Sequence, residues 1–218
     1  MAALKQFAVI GLGSFGMSIG RTLVEQGHET LGIDIDEGLV HEAAQVLTHV
    51  VQADATEEEA LRALGLRNFD AVVVAIGTNL EASILVTLLL KELGARLVVA
   101  KASTELHGKV LSRIGADRVV FPERDMGARV AHYLVASNIL DYVELSPKYS
   151  IMELTADAES HDRSLRELDL RNRYGVTVLA IKRGDEIKVS PRADDRLEKG
   201  DVLVVIGSQE GLRRLERN

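Results

Sequence analysis

No cysteine occurs among the 218 residues, so neither a disulfide framework nor a thiolate metal site is open to this chain. That absence fits a reducing cytosol. Basic charge is in short supply too: 26 Lys and Arg stand against 33 Asp and Glu, a formal charge of −7. A general nucleic-acid binder shows a basic face or tail, so that class is set aside. Long apolar runs are missing. The longest candidates, Ala71–Ile76 and Ile84–Leu90, fall well short of the roughly 20 residues a membrane helix needs. Any membrane role is therefore expected to run through a partner. Met1-Ala2-Ala3-Leu4-Lys5 places no basic stretch before an apolar core, so no signal peptide is expected. The six histidines are scattered, with His28 and His49 expected at strand ends, and none forms a metal-ligand cluster. The Tyr-x-x-x-Lys pair of short-chain dehydrogenases is absent as well. Four residues beyond Tyr133, Tyr142, Tyr149 and Tyr174 stand Ser137, Ser146, Glu153 and Val178. Without a proton-transfer pair or an activated nucleophile, an NAD-dependent oxidoreductase is the weaker of the readings.

What the chain does contain is 46% hydrophobic residues, enough to bury a real core. Short β-branched runs alternate with helical patterns through the first 120 residues. Strands are expected at Phe7–Ile10, Glu29–Asp34, His49–Gln52, Ala71–Ile76, Leu97–Lys101 and Arg118–Phe121. Helices are expected between them, at Glu37–Gln45, Glu57–Leu64, Asn79–Leu93 and Leu106–Ile114, with Ile19, Leu23 and Val24 marking a first one. The run Ala71–Ile76 is uniformly apolar, as a strand covered by helices on both faces must be. Alternation of this kind implies right-handed crossovers and a doubly wound parallel α/β sheet of the Rossmann type. Pro122 interrupts it. Asp125–Leu140 reads as one longer amphipathic helix carrying Met126, Val130, Leu134 and Ile139. After Pro147 come short strands at Ser150–Thr155, Thr177–Lys182, Glu186–Val189 and Val202–Ile206, with small helices at Ser164–Leu168 and Glu210–Arg217. The expected layout is a Rossmann domain over 1–122, a crossover helix over 123–141, and a small α+β domain over 142–218 with mostly antiparallel pairing.

Gly11-Leu12-Gly13-Ser14-Phe15-Gly16 fits G-x-G-x-x-G, following a predicted strand and opening a predicted helix. The first glycine permits a tight turn, the second lets phosphate approach the backbone, and the third lets helix and strand pack closely. Free amides and the helix dipole then favour an anion. Asp34 ends the second strand 18 residues after Gly16, where an acid accepts hydrogen bonds from ribose hydroxyls and repels a 2′-phosphate. With no arginine beside it, NADP is disfavoured. Asp54 follows the third strand and stands either near an adenine edge or as a cap to the next helix. Ile76 and Gly77 follow the fourth strand on the switch-point side. Lys101, at the end of the fifth, either faces the same crevice or is a solvated strand end.

Gln6–Gly16 (QFAVIGLGSFG), Asn68–Gly77 (NFDAVVVAIG), Gly115–Met126 (GADRVVFPERDM) and Tyr174–Lys182 (YGVTVLAIK) resemble the RCK (regulator of K⁺ conductance) family, most closely its KtrA/KtrC-type regulatory subunits. The resemblance covers essentially the whole chain and implies an N-terminal TrkA-N and a C-terminal TrkA-C domain. It implies a non-enzymatic gating role: homodimers assembling into an octameric ring beneath a membrane-embedded potassium transporter, in the cytoplasm against the inner face of the membrane. ATP and ADP are then expected to favour different ring shapes. Gly11, Gly13 and Gly16 match the family's phosphate turn and Asp34 its ribose acid. Ser14, Phe15, Asp36, Asp54, Ala55, Ile76, Gly77 and Lys101 fall where members line the nucleotide pocket. Glu123 matches an acid that helps hold Mg²⁺ or Ca²⁺ between the nucleotides of a dimer; as plain sequence it is an acid in the first turn of a helix. Several relatives carry arginine where this chain has Ser14. That departure hands contact with the terminal phosphate to another cation such as Arg124, and opens the site to NAD(H). The C-terminal module often binds cyclic di-AMP, for which Leu170, Arg171, Thr177, Ile181 and Pro191 are the matching positions.

Overall fold

The computed structural model describes residues 4–135 and 139–216. Two compact units divide the chain, Met1–Glu123 and Arg124–Asn218.

The first unit winds strand and helix alternately. Strands β1 (Gln6–Ile10), β2 (Glu29–Asp34), β3 (His49–Gln52), β4 (Ala71–Val74), β5 (Val98–Lys101) and β6 (Arg118–Val120) form one sheet in the order β3-β2-β1-β4-β5-β6. Every pairing in it is parallel. Between the strands run α1 (Ser14–Glu25), α2 (Glu37–Ala43), α3 (Glu58–Ala63), α4 (Leu80–Glu92) and α5 (Glu105–Arg113). The reason lies in the strands' composition. Ala8, Ile10, Val72, Val74 and Val98 pack into one core with Val86, Leu90 and Leu111 of α4 and α5. Their neighbours Val9 and Val73 point to the opposite face and pack with Leu12, Ala43 and Leu47. A strand buried on both faces has to be apolar at every position, and β4 is. The chain passes from β1 outward to β2 and β3, then returns to place β4 on the other side of β1. The resulting switch point, at the C-terminal ends of β1 and β4, is where such sheets leave a crevice.

Pro122 opens α6 (Pro122–Val135) instead of merely breaking the chain. Its missing N–H is no loss in a first turn, where the amides have no intrahelical partner. The expected helix Asp125–Leu140 is too long at its far end. Residues Ile139–Ser146 form a strand, β7, that pairs antiparallel with β8 (Tyr149–Thr155). The residues between α6 and β7 lie outside the described ones. Two things fix the hairpin: the partner strand, and a two-residue turn at Pro147-Lys148 in which Ser146 Oγ accepts from the Lys148 and Tyr149 amides. Periodicity inside the segment could not show either, because the partner lies beyond Pro147.

The rest of the second unit contains α7 (Leu165–Leu168), α8 (Leu170–Tyr174), β9 (Val176–Arg183), β10 (Glu186–Val189), β11 (Val202–Ser208) and α9 (Gln209–Glu216). Its sheet runs β10-β9-β11-β8-β7, antiparallel throughout. Alternate residues Met152, Leu154, Leu203 and Val205 fill one face, against Leu168, Leu170, Tyr174 and Leu212. This is the small α+β unit expected, with β7 and α8 added. Among the described residues no helix is long and apolar enough to cross a membrane.

Candidate functional site

A cleft of about 780 Å³ opens at the C-terminal edge of the parallel sheet. The volume is within the range of small-molecule and cofactor sites. Gly11 begins it. With φ of +94°, this residue occupies a conformation L side chains rarely adopt, and a Cβ here would meet Ala75 C and Ile76 N at 3.1 Å. Gly13 is the N-cap of α1 with extended backbone, and a Cβ there would touch nothing within 4 Å. That open space is what an approaching phosphate needs. Gly16 works differently: a Cβ would lie 1.9 Å from the Gly11 carbonyl oxygen, so it lets α1 press against the turn. Gly16 accordingly lies behind the cleft, while Gly11, Gly13, Ser14 and Phe15 line it.

Asp34 closes the turn from β2. One carboxylate oxygen accepts from the Leu12 amide at 2.6 Å, the other from the Asp36 amide at 2.9 Å. The acid thus braces the glycine turn while lining the cleft. Asp36 is spent locally: it caps α2 by accepting from the Leu39 amide at 3.0 Å and does not line the cleft. Asp54 does line it, with Ala55 and Thr56. Its Oδ1 accepts from the Thr56 hydroxyl at 2.6 Å and the Thr56 amide at 2.9 Å, and those bonds hold its carboxyl below the usual range, the hydroxyl most strongly. The N-cap position of α3 belongs to Glu57, which makes no side-chain capping bond, so Asp54 is not the cap of that helix. Thr56 is a cleft residue sequence reasoning passed over; the Asp-x-Thr spacing was its signal.

Ile76 and Gly77 leave β4 into the cleft, followed by Thr78 and by Asn79, which caps α4 through the Ala82 amide at 3.0 Å. Lys101 is no solvated strand end. Its side chain is only 12% exposed, its Nζ lies 5.6 Å from the Phe15 ring centroid, and it forms an ion pair with Glu123. Glu123 sits in the first turn of α6 and also lines the cleft. The Lys101 ammonium holds its carboxyl below the usual range, and the helix amide it accepts from adds to this. Arg124 falls in the second unit, where its Nε donates to Asp125 at 2.9 Å. Of the cleft-lining residues, Asp34, Asp54 and Glu123 carry negative charge and Lys101 alone carries positive charge.

The five positions matched to a second ligand are spread over the second unit. Leu170 is buried and borders a cavity of about 70 Å³ beside Arg163 and Arg173. Ile181 is buried beside a shallow groove of about 660 Å³ with Arg183 and Arg196. Arg171 and Thr177 are exposed and Pro191 is half-buried. Neither of these two cavities includes Arg171, Thr177 or Pro191. No cluster of three His, Asp or Glu among the described residues has the arrangement of a metal site either.

The TrkA-N domain matches residues 7–122, which hold nearly all of the parallel sheet and every cleft-lining residue but Glu123, and the TrkA-C domain matches 150–218. The chain belongs to the RCK family. It is 51% identical to Ktr system potassium uptake protein C of Bacillus subtilis (strain 168), over 98% of this chain and 96% of that protein. It is 48% identical to Ktr system potassium uptake protein A of the same organism, over 97% and 96%. The Vibrio alginolyticus Ktr system potassium uptake protein A is 40% identical over 95% and 94%. Among solved structures, the GsuK RCK domain superposes with a TM-score of 0.69 at 18% identity, covering 99% of this chain and 48% of that one. The GsuK channel bound to NAD gives 0.68 at 17%, covering 99% and 39%. At such identities these two establish the RCK fold alone, and this chain spans about half or less of their length.

Proposed function

We propose that this RCK protein is the nucleotide-sensing regulatory subunit of a bacterial potassium uptake system, with an adenine nucleotide bound in the switch-point cleft. The observation that carries the reading is a cleft with every part a nucleotide needs. Gly13 leaves room at the start of α1, whose amides face a phosphate. Asp34 stands ready for the ribose. Ile33, Ile35 and Leu39 offer an apolar wall, as the flat face of a base requires. Lys101 supplies a positive charge. Identity near one half, over almost the full length of two Ktr system potassium uptake proteins, supports potassium uptake as the system this chain serves.

ATP and ADP are the proposed ligands, and they act by binding two assemblies of the chain with different affinities. NAD(H) is a second occupant to compare, since position 14 itself carries serine and no cation. The chain acts as a homodimer built into an octameric ring, docked from the cytoplasm on a membrane-embedded Ktr-type transporter. Met126, Val130 and Leu134 support the dimer: all three are apolar, lie on one helix, and are 53%, 48% and 75% exposed. In the assembled site Glu123 contributes one oxygen to a Mg²⁺ or Ca²⁺ ion, and phosphate oxygens and a second copy complete the shell. Cyclic di-AMP is the proposed ligand of the second unit, with Leu170, Arg171, Thr177, Ile181 and Pro191 gathered across a dimer.

Affinity purification of the tagged full chain from its own membranes is the test. A transporter of the Trk/Ktr superfamily is expected to co-purify, more in one nucleotide than in the other. Recovery of the chain without any such transporter, in either nucleotide, contradicts the regulatory role.

A further inference from the structure

Lys101, the one cation among the described residues that line the cleft, is already engaged. Lys101 is paired with Glu123, and the two partners are held very differently. The lysine side chain is 12% exposed, that of the glutamate 67%. Lys101 Nζ is confined between the Phe15 ring and Gly77, where a Cβ would come within 3.0 Å of it. Phe15 belongs to the first turn of α1, so the ammonium is fixed beside the glycine turn. Glu123 stands on the first turn of another helix, α6, with most of its side chain in water. An ion pair with one exposed partner contributes little and is easily exchanged. A phosphate oxygen makes a charge-assisted bond at least as good as a carboxylate does.

We infer that Glu123 is an internal competitor for the phosphate group: it pairs with Lys101, and a bound nucleotide takes Lys101 over and sets Glu123 free. The inference rests on the nucleotide reading above. Lys101 is then the residue through which the cleft reads phosphate charge, because the other charged lining residues, Asp34, Asp54 and Glu123, all repel it. The released carboxylate is no longer neutralised, and it becomes available to a cation only after the phosphate has arrived. Nucleotide and cation binding are coupled by that order of events, through one side chain each.

The test is calorimetric titration of ADP, and separately of adenosine, into the full chain in EDTA. Four proteins are compared: wild type, Glu123→Gln, Lys101→Met and the double variant. Removing the competitor is expected to tighten ADP binding about three- to five-fold, the factor a part-exposed pair can withhold. Adenosine binding should be unchanged, because adenosine has no phosphate to compete. In the Lys101→Met background, Glu123→Gln should no longer change ADP affinity. Equal ADP affinity of wild type and Glu123→Gln overturns the exchange and leaves the nucleotide reading standing. An equal gain for ADP with and without Lys101 also overturns it, since the effect is then a general charge effect. Wild type that binds neither ligand overturns both the exchange and the nucleotide reading.

Discussion

Gly13 and Gly16 lie three residues apart in one motif and do opposite jobs. A methyl group on Gly16 has nowhere to go, since the Gly11 carbonyl is 1.9 Å away. A methyl on Gly13 enters open space, at backbone angles any residue accepts. Two alanine variants therefore separate folding from binding. Gly16→Ala is expected to lower the stability of the first unit by about 3 kcal/mol, the cost of forcing an atom into a closed contact. Gly13→Ala is expected to melt like wild type and to bind ADP at least tenfold more weakly, because its methyl takes the space of the phosphate. Thermal unfolding and calorimetry on the same samples check both; normal ADP binding by a normally folded Gly13→Ala removes phosphate from that turn. The acids divide in a similar way. Asp34 and Asp36 are two residues apart on paper, yet one braces the glycine turn and the other caps a helix. Their spacing in sequence shows acids near a strand end and no more. The partner amide decides which one faces a ligand, and that amide depends on where α2 begins. The Lys101–Glu123 pair was illegible for a related reason: α5 and β6 separate the two residues along the chain, and only the parallel register of β5 and β6 brings their ends together.

The elements were readable wherever burial imposes a simple pattern. Strand β4, and β1 over Phe7–Ile10, are apolar on both faces, and a run of that kind has few other readings. In the antiparallel strands β8 and β11 burial alternates strictly; β8 shows that period in its sequence, while β11 stands out as a β-branched apolar run. Strand β7 has neither signature. Leu140, Val143 and Leu145 are 49%, 46% and 52% exposed, and among the described side chains of β7 Tyr142 is the hydrophobic one that packs against the core. Tertiary pairing makes it a strand.

One polar contact pins the second unit's elements together. The Asp201 carboxylate is almost fully buried and accepts from Arg183 Nε and Nη2, both at 2.8 Å, and from the Glu198 amide at 2.8 Å. Arg183 first, and then the Glu198 amide, hold its carboxyl below the ordinary range, against the effect of burial. An acid whose folded pKa is depressed stabilises the fold above its unfolded value, near 3.9, and the contribution is lost as pH falls through the folded value. Asp201→Asn is thus expected to lower the melting midpoint at neutral pH by about 5 °C. The gap from wild type should close as the pH drops below about 4. A gap that stays constant from neutral pH down to acid contradicts an ionised, paired Asp201.

At the scale of the molecule, a parallel sheet with a nucleotide-sized cleft is joined to a small antiparallel unit rich in arginine, through a helix whose apolar side is exposed. Among the described lining residues the cleft sets one cation, Lys101, against the carboxylates of Asp34, Asp54 and Glu123, and its pairing with Glu123 makes that lysine the charge a ligand has to engage. A sensor of this kind needs two assemblies that differ in affinity for the ligand, and a lone chain offers only one. Met126, Val130 and Leu134 are where a second copy is expected to cover this one, and the regulatory account stands or falls on that assembly carrying nucleotide. Native mass spectrometry of the full-length protein incubated with ADP reads both properties at once. The account predicts assemblies of even chain number, up to eight, with one ADP retained per chain. A stable monomer that retains no ADP would contradict it.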